Sequence, residues 1–475
     1  MMKKHWELAF KSAWDLRKLI LNKEISPVEL VEDALSRLND INPKLNAFLE
    51  ITSEQAITKA KIAEQDIFRN KNLGLLHGIP TSIKDHISTA GIKTTFGSRI
   101  FKDYIPSKNH IIVDRLNNSG AISIGKTNLP EFGMIAATEN FLGEDCVNHW
   151  DITRIAGGSS GGAAASVASG ITSFAQGSDG GGSIRIPCGF CGIYGIKPSQ
   201  GRIPYYLGPG SDHVMNLFSQ SGPMTRTVAD TAMLLQVLAG PDSRDRAALR
   251  EPPDDYIAAT KLGVENLKIG WTPDFGYAEV DSEVVQVTEA AAKVFEDIGA
   301  TVEELDLTLE EPFNDFWPIF TTIIAMRNAG LPKEQYDKLA YYTQEALDFG
   351  NQLSGIDFVK SLSRLDVMKS QFSDVFDRYD LILTPTLAVP AFPVGKPPLK
   401  IGEKDTHWFW GYTPFTMPIN MIGSTAASVP CGFSSDGLPM GLHIIGRWGD
   451  ESTVLAASAA FEQARPWIQH RPQLS

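Results

Sequence analysis

Residues 157–198 read GGSSGGAAASVASGITSFAQGSDGGGSIRIPCGFCGIYGIKP. Two glycine-flanked serine clusters, Gly157–Gly162 and Gly180–Ser183, bracket a segment of small residues. Glycine loses more conformational freedom on folding than any other residue, so this density implies a backbone that approaches something closely or adopts positive φ. From Ser160 to Ser169 the segment reads as a helix small on all faces, suited to close packing against a sheet. The whole stretch reads as a catalytic floor.

Elements alternate on both sides of it. Upstream, Ile111–Leu116 reads as a helix stopping at Gly120, Ala121–Gly125 as a buried strand, and Leu75–Asp85 as a turn feeding a strand that ends in charge. Ser26-Pro27-Val28-Glu29 combines an N-cap, a first-turn proline and a capping-box glutamate; Asn42-Pro43 should end that helix, and Ser53–Phe68 should form the next. Downstream, Thr227 should cap a helix through Leu238 with Asp230 completing the box. Leu267–Trp271, Asp281–Ile298 and Thr301–Leu305 make a βαβ unit. The 306–370 region reads as largely helical, with most of its Phe313, Phe316, Trp317 and Phe320 expected to pack a core and the alternative that they shape a pocket. Further strands are expected at Asp380–Thr386, Ala426–Pro430 and Met440–Ile445, with a closing helix at Thr453–Glu462. The alternation argues for one large α/β sandwich over residues 1–475, with N-terminal helices over 5–70.

A chain of 475 residues with 43% hydrophobic content can bury a large core. A net charge of -13 argues against a nucleic-acid partner. Charges interrupt the first apolar residues, and no run reaches the roughly 18 apolar residues of a spanning helix, so no membrane association and a cytoplasmic location are expected. Four scattered cysteines do not make a disulfide framework, and the CxxC of Cys188 and Cys191 has no second pair to complete a zinc site. No metal or cofactor is called for. Gly157–Gly162 lacks the lysine-serine ending of a phosphate loop.

What remains is serine without histidine. A serine nucleophile needs a base, and a lysine neutralised by burial can serve. Lys84, at the end of a strand-like stretch, suits this; residues 75–86 taken alone would make it a surface lysine paired with Asp85.

LHGIPTSIKD (76–85), AGGSSGGAAASVASG, GSDGGGSIRIPCGFCGIYGIKPS and SVPCGFSSDGLPMGLHIIG resemble the amidase signature family of serine hydrolases, most densely between Leu76 and Arg202. Ser183 follows Ser159 by 24 residues, the family's interval between its cis-peptide serine and its nucleophile. The resemblance implies a single α/β/α sandwich with a mixed central sheet, a signature core over 75–240 and a substrate-side helical region over 306–370. It implies Ser183 as nucleophile, Ser159 as bridging serine on a cis peptide after Gly158, and Lys84 as base. Amides of Gly180, Gly181, Gly182 and Ser183 would hold the oxyanion, a contribution of about 3 kcal/mol per donor in other hydrolases.

Ser160 is expected to bond the network, and Asp179 and Arg185 to form an ion-paired scaffold, with Arg185 helping to keep Lys84 neutral. Ser178 and Gly180 depart from the family's GTDTGGS, and Gly423-Ser424-Thr425 from its glycine-x-proline. Met134, Tyr205-Tyr206, Trp408 and Trp410 would suit an aromatic or apolar substrate group; Arg202 reads equally as a polar anchor or a surface charge. The expected activity is hydrolysis of small-molecule amides of aryl-acylamide type, with carbamates as further substrates, by a monomer or homodimer. The alternative is the glutaminase subunit of a tRNA-dependent amidotransferase.

Overall fold

The structure is a computed structural model that describes residues 8–69, 71, 73–205 and 216–472. In chain order its strands are β1 (Phe48–Ile51), β2 (Pro80–Lys84), β3 (Ile122–Thr127), β4 (Phe174–Asp179), β5 (Tyr194–Lys197), β6 (Gln220–Thr225), β7 (Lys268–Trp271), β8 (Thr301–Glu304), β9 (Leu381–Pro385), β10 (Lys400–Ile401), β11 (Lys404–Asp405), β12 (Ala426–Phe433) and β13 (Pro439–Gly446). Eleven of them form one sheet in the order β1-β3-β2-β4-β6-β5-β12-β13-β9-β7-β8, while β10 and β11 pair separately. β2 runs parallel to β3 and β4, and β7 to β8 and β9. The remaining neighbours are antiparallel, so the sheet is mixed as expected.

Successive side chains along a strand point to opposite faces, and the core divides accordingly. Leu381, Leu383, Ala427 and Ile444 join helices Ala13–Leu21, Ile111–Asn118, Val228–Leu238, Ser282–Asp297 and Glu451–Ala464 in one cluster. Their neighbours Ile382, Ala426 and Ile445 face the other way, into a cluster with helices Phe313–Arg327, Tyr341–Gln352, Gly355–Phe376 and Thr416–Ile422. A third cluster on the sheet holds the helices Pro27–Leu45, Ser53–Phe68 and Gly161–Ala168. The result is helix, sheet and helix in three layers. Among the described residues no helix is long and apolar enough to cross a membrane.

Three local expectations change. The helix that starts at Pro27 does not stop at Asn42-Pro43; it continues to Leu45, and Asn46 closes it in the left-handed conformation. A proline near a helix end removes a single backbone bond, and one further turn is tolerated. Asp230 does not complete a capping box with Thr227. Thr227 Oγ accepts from the Asp230 amide, but the Asp230 carboxylate accepts the Ala13 and Trp14 amides instead and so caps the helix Ala13–Leu21. Strand β6, with Gly222 and Pro223, had no local signal; its order comes from the six-residue pairing with β4, and β5 pairs only with Met224 and Thr225, which leaves Pro223 outside that ladder. Residues 5–7 and 70 of the expected N-terminal helical region lie outside the described residues.

Candidate active site

Parallel pairing of β2 with β4, with Ile83 opposite Gln176, brings Lys84 beside the Gly177–Asp179 end of β4. Gln176 Oε1 accepts the Lys84 amide at 3.2 Å, fixing that register. The Lys84 side chain is fully buried. Its Nζ lies 2.7 Å from Ser159 Oγ, 2.9 Å from Ser160 Oγ and 3.0 Å from Ser178 Oγ. Burial holds the Lys84 pKa well below the usual lysine value, with only the negative charge of Asp179 opposing it. Low polarity disfavours the ammonium. Burial lowers the lysine as expected, while Arg185, expected to help, has its charge paired with Asp179 and is not among the causes.

The peptide between Gly158 and Ser159 is cis. Ser160 donates its hydroxyl to the Ser178 carbonyl at 3.1 Å and accepts the Ser178 amide at 3.2 Å. With its proton engaged there, Ser160 Oγ meets Lys84 as an acceptor. The helix Gly161–Ala168 begins directly after it and is buried at every position. Gly162 permits this: a Cβ there would lie 2.4 Å from the Ala47 carbonyl oxygen.

Ser183 stands between β4 and the short helix Arg185–Cys191. The loop is shaped by the Asp179 carboxylate, which accepts the amides of Gly182 at 2.7 Å, Ile184 at 3.2 Å and Arg185 at 3.4 Å. Arg185 Nε and Nη2 each reach it at 2.9 Å, and Asn420 Nδ2 at 2.8 Å. Burial opposes a charge on Asp179, yet Arg185 holds its pKa far below the usual carboxylate range. Arg185 Nη1 donates to His443 Nε2 at 2.9 Å, and burial with the Arg185 charge keeps that imidazole neutral. The expected ion-paired scaffold is therefore present. One expectation is corrected: the Gly182 amide is taken by Asp179, so it is not a free oxyanion donor. The amides of Gly180, Gly181 and Ser183 donate to no acceptor among the described residues.

Beside this loop stands an aromatic wall. A methyl built on Gly181 would sit 3.1 Å from Trp410 Cη2 and 3.3 Å from Phe316 Cζ. Phe316 stacks on Phe218 at 5.3 Å and on Phe320 at 5.2 Å, and meets Trp410 edge-on at 5.5 Å. Buried Met134 follows Gly133, whose own added methyl would lie 3.1 Å from Ser159 Oγ.

Trp410 thus stands beside the loop that carries Ser183, Met134 is buried next to a glycine that borders Ser159, and three other expected residues lie elsewhere. Arg202 forms a buried pair with Glu451 at 2.8 Å. Tyr205 packs edge-on to His110 at 5.7 Å, and Tyr206 lies outside the described residues. Trp408 borders a separate cavity with Ala137 and Tyr341. Sequence reasoning missed Ser178 as a Lys84 partner, although a hydroxyl residue in that motif position was the available signal. It also missed Asn420 and Thr416, whose Oγ donates to the Gly181 carbonyl at 2.8 Å. No local pattern points from residues 416–420 to the loop they brace.

The family model described as Amidase matches residues 29–455. The chain belongs to the amidase family, whose signature-type members it resembles. It is a hydrolase acting on carbon–nitrogen bonds. An acylamidase of Rhodococcus erythropolis is 34% identical, covering 98% of this amidase and 97% of the relative. A glutamyl-tRNA(Gln) amidotransferase subunit of Geobacillus stearothermophilus is 37% identical, covering 98% and 99%. The solved structure of a bacterial aryl acylamidase superposes with a TM-score of 0.92 at 33% identity, covering 98% of each chain.

Proposed function

We propose that this amidase hydrolyses small-molecule amides of the acyl-anilide class, and carbamates of aromatic amines, through an acyl-enzyme on Ser183. The observation that carries the reaction is the buried Lys84 amine 2.7 Å from Ser159 Oγ. A neutral amine has one lone pair and two N–H groups. Ser160 must be a recipient of one N–H, because its own proton is engaged by the Ser178 carbonyl. Ser159 is then placed to donate its proton to the lone pair, and in turn to accept one from Ser183 as Ser183 Oγ attacks the carbonyl carbon.

Negative charge builds on the carbonyl oxygen, and the unengaged amides of Gly180, Gly181 and Ser183 are the donors nearest to receive it. The relay reverses to protonate the leaving nitrogen, so the amine departs neutral. Water, deprotonated by the same route, releases the acid and restores Ser183. The wall of Phe316 and Trp410 beside Gly181 supports an aromatic substrate group, since such sites are apolar with few polar anchors.

Identity to the glutamyl-tRNA(Gln) amidotransferase relative supports a second reading, glutaminase action within an assembly. Glutamine carries a carboxylate and an ammonium, for which an aromatic wall offers no counter-charges, and Arg202 is already paired. Steady-state assays of the purified chain with an acetanilide, an aryl carbamate, an aliphatic amide and glutamine separate the readings. Turnover of the anilide, lost in Ser183→Ala, is expected; turnover of glutamine alone would overturn the proposal.

A further inference from the structure

Ile135, Ala137 and Thr138 line a cavity of about 80 Å³ whose lining includes none of the three serines at Lys84. Its walls include the rings of Tyr341, Phe392, Trp408, Phe409 and Tyr412, and its polar lining includes Glu139 and Asp145. Tyr341 and Trp408 lie 5.9 Å apart, Trp408 and Phe409 5.1 Å, and Phe392 and Tyr412 4.8 Å, so two packed groups of rings border the cavity. Among the described residues no lysine or arginine lines it. Among the described residues Glu139 has one side-chain partner, the Tyr341 hydroxyl at 2.9 Å. Burial raises the pKa of both Glu139 and Asp145, and no cation acts on either to lower it. Tyr412 is only 3% exposed, yet its hydroxyl has no hydrogen-bond partner among the described residues. That hydroxyl opens onto the cavity, where it is free to accept a hydrogen bond. An aromatic lining with two uncompensated carboxylates matches a cation through ring quadrupoles and charge together.

We infer that this cavity binds a small primary alkylammonium ion, its N–H groups donating to Tyr412 Oη and Glu139 and its chain lying against Trp408 and Phe392. A primary ammonium fits better than a quaternary one because Tyr412 offers an acceptor that only an N–H can use. At roughly 10–15 Å³ per water-sized guest, the space admits about five to eight heavy atoms, which accommodates n-butylammonium. The occupant would lean on the strand of chain that supports Ser159. Thr138 Oγ donates to the Gly157 carbonyl at 2.8 Å and accepts the Gly161 amide at 3.1 Å, and a Cβ on Gly158 would lie 2.5 Å from the Ala137 carbonyl oxygen. Amines of this class are products of aliphatic amide hydrolysis, so such an ion bound here would act without competing for the serines.

The test is isothermal calorimetry of n-butylammonium chloride into the full chain, with butan-1-ol and potassium chloride as controls. Saturable binding of the ammonium is expected. Glu139→Gln and Tyr412→Phe should each weaken it by about tenfold or more, the equivalent of about 1.4 kcal/mol, while Ser183→Ala leaves it unchanged. That last arm separates this site from the catalytic reading, because binding here requires no serine. Absence of saturation, equal binding of butan-1-ol, full competition by potassium, or unchanged affinity in both cavity variants would each overturn the inference.

Discussion

Replacing Lys84 by methionine isolates the amine from the packing, since the two side chains have similar length and the position is fully buried. The substitution leaves Ser160 still bonded to both the carbonyl and the amide of Ser178. Ser159 and Ser178 lose the amine as a partner. An unsatisfied buried hydroxyl costs about 1–3 kcal/mol, so the two together cost about 2–6 kcal/mol, offset by relief from burying the amine. A folded protein is therefore expected. The activity loss is of another order: a positioned base contributes about 10²–10⁴ in rate, or about 3–5 kcal/mol of barrier.

The sign of the pH dependence follows from the direction of the Lys84 shift. Above its lowered folded pKa the amine is neutral and competent; as pH falls through that pKa it takes a proton and activity is lost. In the window between the folded and unfolded pKa values only the unfolded chain binds the proton, so wild-type stability declines as pH falls there, by up to about 1.4 kcal/mol per pH unit. Lys84→Met should abolish this contribution to the slope. The assays are kcat/KM for an acyl-anilide against pH, and urea unfolding at several pH values. A variant within tenfold of wild-type kcat/KM, or one keeping the same acid limb, would refute Lys84 as the base.

Two further substitutions probe the loop that carries Ser183. Gly182 has φ of +130° and an added methyl would lie 2.2 Å from Thr416 Oγ, whereas the methyl of Gly181→Ala meets only ring edges at 3.1 Å or more. Gly182→Ala should therefore lower the Tm and eliminate activity together, and Gly181→Ala should fold normally while reducing kcat/KM for anilides more than for acetamide; the opposite ranking in thermal melts would contradict the loop geometry. Asp179→Asn leaves the Arg185 charge buried without its partner, which costs about 3–5 kcal/mol when a buried pair is broken. Urea unfolding should register that loss, and a change below about 1 kcal/mol would show that Asn420 and His443 suffice to hold Arg185.

Much of the catalytic chemistry was legible locally. The sequence alone marked this as an α/β chain and singled out Gly157–Gly162 and Gly180–Ser183 as its expected site, because glycine density, serine spacing and strand pattern are properties of contiguous residues; Lys84 joined them only through the family resemblance. The sequence also marked Asp179 and Arg185 as partners, being six residues apart across one turn.

Tertiary structure decided the rest. Trp410 and Trp408 are two positions apart, and nothing in His407-Trp408-Phe409-Trp410 says which ring faces Gly181 and which a different cavity. Arg202 had equal claims as anchor and surface charge until Glu451, 249 residues away, came beside it. The Gly182 amide looked free until the carboxylate three residues before it turned back to accept it. Each outcome turns on the direction of a side chain or on a partner remote in the chain. Such choices are made by the parallel pairing of β2 with β4 and by the packing of distant helices over the strand ends, which no stretch of sequence contains by itself.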